Sequence, residues 1–255
     1  MDKHAPVEIF RRYFTIVPAN TSELQDIVYQ IRYQVYCQEF HYEHEKDFPS
    51  RMEHDCYDTH SSHCLLLHEP NHDPVGCVRL IRPDPNNPDL PLPFEPFCQN
   101  RHYFKVLDPQ TLPRGSFGEF SRLAVLHTFR RRRSDEKKPL SMPDWQTSSA
   151  SGRNAFPVIP VSLFLAALSM LLHHGFKYGF AMMEPRLARL LRRFEIHFNQ
   201  IGDVVDYHGQ RGPFFISRES ILAGFTPEIE ELMHLIRQQI YGSAYLTSSI
   251  HQRNQ

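Results

Sequence analysis

Residues 118–125 read Gly118-Glu119-Phe120-Ser121-Arg122-Leu123-Ala124-Val125, placing a carboxylate, a hydroxyl and a guanidinium within four residues. The apolar run from Leu123 to Leu126 marks the segment as an interior strand. Interior charge is costly unless it is paired and hydrogen-bonded, so the rest of the fold has to supply partners. Strand side chains alternate, which puts Glu119 and Ser121 on one face and Arg122 on the other with Phe120. The segment points to a working site, with a structural ion pair as the alternative.

The 255 residues, 41% hydrophobic and 22% charged, suffice for the core of one large domain or two small ones. A net charge of −1 leaves no general basic excess, so no nucleic-acid partner is expected. Five cysteines without CxxC spacing suit a reducing compartment. The start, Met1-Asp2-Lys3-His4-Ala5-Pro6, is charged where a secretory segment would be apolar. The longest apolar run, Val158–Leu172, contains Pro160 and Ser162 and falls short of the ~20 residues that span a bilayer. The expectation is a cytoplasmic protein with no transmembrane segment.

Ile9–Val17 reads as a first strand. Thr21-Ser22-Glu23 then offers a helix start, followed by Leu24, Ile27, Val28, Ile31 and Val35 at helical spacing, with Arg32 and Tyr36 stacked four apart. The stretch Gln38–Thr59 has no period. Cys64–Leu67 and Val75–Ile81 read as a hairpin, and the proline-rich Pro83–Pro96 leads through Phe97–Val106 to the central strand. The breaker-rich stretch 128–155 reads as a flexible insertion. Beyond it come an apolar helix, Val158–His174, closed by Gly175, and a strand at Tyr178–Met183. A basic helix over Leu187–Ile201, strands at Val204–Tyr207 and Pro213–Ser217 and a helix at Pro227–Tyr241 follow, with a polar tail from about 242. This order describes a single α/β (α+β) domain over residues 1–255, a central mixed sheet flanked by helices.

Arg32, Asp55, Asp58, Arg79, Glu119 and Arg122 can satisfy one another only if they converge; otherwise they are scattered surface charges. Arg186, Arg189, Arg192 and Arg193 recur at helical steps and form either a solvated face or a dock for an acidic partner. Arg130–Arg133 competes for that docking role. The cluster His54, Asp55, Cys56, Asp58, His60, His63 and Cys64 holds ligand types, but without paired spacings no metal is expected.

The ordered set Arg32, Tyr36, Tyr42, then Glu53-His54-Asp55-Cys56-Tyr57-Asp58, Val78-Arg79-Leu80 and Glu119-Phe120-Ser121-Arg122-Leu123 resembles the acyl-homoserine-lactone (autoinducer) synthase and N-acyl amino acid synthase family. That family carries Arg, two spaced aromatics, Glu-x-Asp-x-x-Asp, VRF or VRL, and Glu-Ser-Ser-Arg-Phe. Met183-Glu184-Pro185-Arg186-Leu187 also falls where members place their next elements, so the resemblance covers about residues 24–200. Tyrosines at 36 and 42, the insertion and the tail bring the chain nearer the acyltransferases associated with the PEP-CTERM/exosortase system.

The resemblance implies a GNAT-like acyl-CoA N-acyltransferase fold with a twisted mixed sheet. It also implies transfer of a long-chain acyl group from an acyl carrier protein thioester, or acyl-CoA, to a small-molecule amine such as an amino acid. Glu119 would be the base, acting through a water ordered by Ser121. Arg32, Tyr36, Tyr42, Asp55, Asp58, Arg79 and Arg122 would form the polar site and orient an acceptor carboxylate. Phe164, Leu165, Leu168, Leu172, Phe180 and Met182 would hold the acyl tail, although residue by residue their apolar character favours plain core. Arg186, Arg189, Arg192 and Arg193 would receive acyl carrier protein, and no cofactor would be permanently bound. A lactone synthase using S-adenosylmethionine and a non-catalytic acyl-binding module are the rival expectations.

Overall fold

The computed structural model describes residues 5–69, 71–98, 106–130 and 157–242. Helix α1 (Ala5–Tyr13) runs into β1 (Phe14–Pro18), and α2 (Ser22–Arg32) follows. Next come β2 (Ser61–His68), β3 (Asp73–Ile81) and β4 (Phe117–Val125). Helix α3 (Val158–His173), β5 (Tyr178–Met183), α4 (Pro185–Arg192), β6 (Asn199–Gln200) and β7 (Val205–Asp206) precede β8 (Gln210–Ser217). Two helices, α5 (Arg218–Leu222) and α6 (Pro227–Tyr241), close the described chain. The sheet order is β1-β2-β3-β4-β5-β8-β6, with β7 paired to the start of β8. All pairings are antiparallel except β4 with β5, which α3 joins as a crossover.

One face of the sheet is covered by α3, which is apolar all round and buried from Val158 to Leu172, with α1 and α6 packed beside it. The other face is divided. Val28, Ile31 and Val35 pack on Leu65, Cys77 and Ala124, whereas Phe94, Phe117, Phe180 and Phe215 pack on Ile81. Cys77, Arg79 and Ile81 alternate along β3, so Arg79 lies on this face between the two apolar patches. A polar site is thereby framed by core on both sides.

Two irregularities shape that site. Arg79 pairs with Ser121 but Cys77 pairs with Ala124, so β4 carries one extra residue in a bulge, and Arg122 there sits at φ +48°. The parallel pairing of β4 with β5 also ends early: Phe117, Gly118 and Glu119 match Tyr178, Gly179 and Phe180, and beyond them the strands are unpaired to each other.

The strand at Tyr178–Met183, the helix at Pro227–Tyr241 and the capping role of Thr21 agree with the sequence reading. The expected first strand is mostly helix, because Val7, Phe10 and Phe14 are buried at helical steps and only Phe14–Pro18 pairs with β2. The basic helix starts earlier, with Pro185 in its first turn, and stops at Arg192; the chain turns at Glu195 (φ +61°) and then extends. Tyr33–Glu39 is a π-helical turn continuing α2, and α5 carries no strong periodic signal. The expected insertion from residue 131 onward and the tail beyond 242 lie outside the described residues.

Gly76 pairs with Val125 just beyond the bulge, and a Cβ there would come within 2.4 Å of the Ala124 carbonyl oxygen and 3.3 Å of Leu163. Gly76→Ala is expected to cost about 1–3 kcal/mol, read by urea titration, by forcing these strands apart. Gly115→Ala, where nothing lies within 4 Å, should stay within about 0.5 kcal/mol of wild type in the same urea titration.

Candidate active site

Arg32 ends α2 with its side chain fully buried. Its Nε donates to Glu53 Oε2 at 2.5 Å, while Nη1 and Nη2 donate to the two oxygens of Asp58 at 2.7 and 3.1 Å. Arg79 donates from Nη1 to Asp55 Oδ1 and Asp58 Oδ1, both at 2.7 Å, and from Nε to Ser121 Oγ at 2.9 Å. Asp58 therefore bridges two buried guanidiniums. A 3-10 turn at Cys56–His60 aims both aspartates: Asp55 accepts from the Tyr57 N–H, and Asp58 accepts from the Asp55 N–H.

The bulge changes where Arg122 points. Ser121 and Arg122 both reach the polar face, instead of Arg122 joining Phe120 as strict alternation requires. Arg122 donates to Glu53 at 3.1 Å and Glu43 at 3.3 Å, lies 3.4 Å from Asp55, and stacks on the Tyr36 ring. The Tyr36 hydroxyl donates to the Leu123 carbonyl at 3.0 Å, holding the bulge from the far side, and the Tyr36 carbonyl accepts from Tyr42 and Glu43. Tyr42 lies beyond it, its ring tilted and 6.3 Å from that of Tyr36. Arg32, Tyr36, Tyr42, Asp55, Asp58, Arg79 and Arg122 thus meet in one region. Glu53 and Glu43 complete it; Glu53 stands at the head of the acidic motif, and Glu43 has no periodic signal.

Burial works to raise Glu53, yet Arg32 and Arg122 hold its pKa at about 2. Asp58 is likewise held below the usual carboxylate range against burial, by Arg32 and then Arg79. Burial drives His63, 3.5 Å from Asp58, down to about 4, so its ring is neutral at pH 7.

Glu119 has the opposite environment. It is on the same face, two residues before Ser121, packed among Phe94, Phe117 and Phe180. Burial pushes its pKa up to about 8, opposed by the Phe94 N–H, which donates to Oε2 at 2.9 Å, and by Arg79. The proline-rich stretch leading to Phe94 is thus pinned over the carboxyl, with Phe94 stacked 4.1 Å from Phe180.

The six candidate acyl-chain residues fall in two apolar clusters. Phe164, Leu165, Leu168 and Leu172 belong to α3 and to the core it forms on one face of the sheet, whereas Phe180 and Met182 belong to the aromatic patch on the other face. The strand between them alternates its faces, which the spacing of apolar residues alone does not reveal. Phe120, the first residue of β4 beyond its pairing with β5, packs on Phe198, and Phe198 on Phe164, with ring centroids 6.2 and 6.1 Å apart.

Arg186, Arg189, Arg192 and Arg193 are exposed on one side of α4, with Leu187 and Leu191 buried on the other, and Arg186 pairs with Glu184 at 2.5 Å. Arg130 pairs with Glu39, and residues 131–133 lie outside the described residues. Burial raises the thiols of Cys37, Cys64, Cys77 and Cys98 to about 12, which disfavours a thiolate nucleophile there. Among the described residues no group of three or more His, Cys, Asp or Glu side chains could hold a metal ion, and no helix is long and apolar enough to cross a membrane.

A family model described as an acetyltransferase (GNAT) domain matches residues 31–137. BjaI, a CoA-dependent acyl-homoserine lactone synthase solved with SAM and isopentyl-CoA, superposes with a TM-score of 0.54 at 15% identity, over 87% of this chain and 90% of that one. TofI, solved with an inhibitor and MTA, gives 0.51 at 17%, over 80% and 90%. FeeM, an N-acyl amino acid synthase from uncultured soil microbes, gives 0.50 at 14%, over 91% and 96%. No curated protein matches the chain. At these identities the likeness is one of fold: the mixed sheet with flanking helices is an α/β GNAT-like acyltransferase fold, as expected.

Removing Asp58 leaves two buried guanidiniums short of a partner. Asp58→Asn is expected to cost about 3–5 kcal/mol, read by urea unfolding at pH 7. Because the folded pKa values of Glu53 and Asp58 are depressed, their stabilisation is present above about pH 4.5 and is lost as pH falls toward 2. The variant should show a shallower acid limb than wild type.

Proposed function

We propose that this protein is an N-acyltransferase that moves a long-chain acyl group from a thioester to the amine of an amino acid or similar small molecule. The observation that carries the reading is Glu119, a carboxyl with pKa about 8 beside the opening between β4 and β5. A carboxylate poised there suits proton abstraction near neutral pH, where an α-amine of pKa about 7.7–8.0 needs only modest help.

The Ser121 hydroxyl accepts from Arg79, so its own proton is available to orient a water between the amine and Glu119. The amine nitrogen attacks the thioester carbonyl, its proton passes through the water to Glu119, and the C–N bond forms. As the tetrahedral centre collapses the C–S bond breaks, and the Glu119 proton returns to the departing thiolate. Backbone N–H groups of β5 past Phe180, no longer paired with β4, are suited to the developing oxyanion, a contribution of typically ~3 kcal/mol. The acyl chain would enter the same opening and lie against Phe120, Phe164 and Phe198.

Acyl carrier protein is our preferred donor, because exposed Arg189, Arg192 and Arg193 present a cationic face to its acidic surface. The tyrosines at 36 and 42 place the chain, in our reading, nearer the exosortase-associated acyltransferases than the lactone synthases. A lactone product formed only with S-adenosylmethionine, seen by mass spectrometry, would replace the amino-acid acceptor.

Glu119→Gln is expected to lower kcat/KM for amide formation at least ~100-fold. In wild type, kcat/KM should rise through apparent pKa values near 8 for both base and amine; the variant should retain the amine's titration alone. Its stability provides the control. A raised folded pKa means that wild type loses stability as pH climbs from about 4.5 to 8, so Glu119→Gln should be the more stable protein at pH 8 and equal it near pH 4.5. Full turnover in the variant would overturn the assignment.

A further inference from the structure

In the polar network, three guanidiniums (Arg32, Arg79 and Arg122) face four carboxylates (Glu43, Glu53, Asp55 and Asp58). Those arginines are committed to protein acids, and the excess of one negative charge repels a further carboxylate. An acceptor that carries a carboxylate therefore needs another cation at the site.

Arg211 meets that need. It is the second residue of β8, paired with Val205 across the β7–β8 hairpin, whose turn is tightened by His208 and Gly209 at φ +52° and +96° and by the Tyr207 N–H donating to the Gly209 carbonyl at 2.9 Å. The guanidinium lies 5.6 Å from the Tyr42 ring, and His208 packs against the same ring at 4.7 Å. Tyr207 ties this group to the reactive end: burial raises its phenol, and Arg122, Glu119 and Arg211 are all close enough to act on it. Arg211 is half-buried, and among the described residues no carboxylate pairs with it. The Tyr42 hydroxyl accepts from this guanidinium, which fixes it on its aromatic shelf; with no protein acid paired to it among the described residues, its remaining donors are left for a ligand.

We propose that Arg211 binds the carboxylate of the amine acceptor, with Tyr42, Tyr207 and His208 as the shelf for the acceptor's side chain. The inference rests on the acyl-transfer reading and deepens it: the amine end points toward Glu119 and the acid-rich network, the acid end toward β8. Amines without a carboxylate are then poor acceptors.

The test uses the full chain with dodecanoyl carrier protein or dodecanoyl-CoA, the fastest of the standard α-amino acids as acceptor, and that amino acid's carboxamide. Wild type should show a KM for the acid at least tenfold below that for the carboxamide. Arg211→Gln should raise KM for the acid at least tenfold more than for the carboxamide, with kcat little changed, and Arg211→Lys should recover part of the preference. Equal effects on both acceptors, or none, overturn the proposal. Calorimetry with N-dodecanoyl-L-phenylalanine and its methyl ester separates the two readings. Arg211-dependent preference for the acid without turnover overturns acyl transfer and keeps the carboxylate site; turnover without that preference does the reverse.

Discussion

The shared Asp58 carboxylate, bound at once by Arg32 and Arg79, is the interaction on which the rest of the site depends. Each guanidinium is buried on a different element, one at the end of α2 and one in the middle of β3. Neither would be tolerated without a partner, since an isolated buried charge costs several kcal/mol even after relaxation, at about 3–5 kcal/mol for a broken pair. Among the described residues, the acids that pair with them, Glu53, Asp55 and Asp58, all come from the irregular stretch between Glu43 and Asp58, which has no periodic pattern to fold it. The ion pairs therefore determine the path of that stretch, and with it the positions of Tyr42 and Glu43 beside the opening between the strands.

The sheet adds what the network cannot. A single extra residue in β4 lets Ser121 and Arg122 face the same way, so one strand contributes Glu119, Ser121 and Arg122 to one surface. Arg122 takes a positive φ, unusual outside glycine, and the cost is offset locally by its contacts to Glu43 and Glu53 and by the Tyr36 hydroxyl on Leu123. The parallel neighbour β5 separates just past Glu119, and the carboxyl lies where the ladder ends.

Much of this was legible in the residues. Charged groups in an apolar strand demanded partners, and Arg32, Asp55, Asp58 and Arg79 do converge with Arg122. The exceptions each have a physical cause. The bulge defeats alternation because a one-residue insertion leaves no compositional mark when the added residue is an arginine at positive φ. Phe180 and Leu168 look alike in composition yet lie on opposite faces, and only register separates them. Ile9–Val17 reads as strand by residue type, but burial at Val7, Phe10 and Phe14 makes most of it helix. Arg211 and Tyr207 were invisible because a hairpin far along the chain brings them to the site by topology, not by spacing.

The two environments on this face divide the labour of its carboxylates. Glu53, between Arg32 and Arg122, is held near pKa 2 and stays ionised through the physiological range. Glu119, among phenylalanines with one backbone N–H donor, is pushed to about 8 and exchanges its proton there. Pairs of carboxyls driven apart in this way separate a structural charge from a chemical one. Bringing a full positive charge as close to Glu119 would drop its pKa and remove its basicity; moving the phenylalanines onto Glu53 would leave two arginines unpaired. The apolar patch around Ile81 and the ionic patch around Arg79 therefore have to lie side by side on one strand face, and the alternation of Cys77, Arg79 and Ile81 along β3 is what places them so.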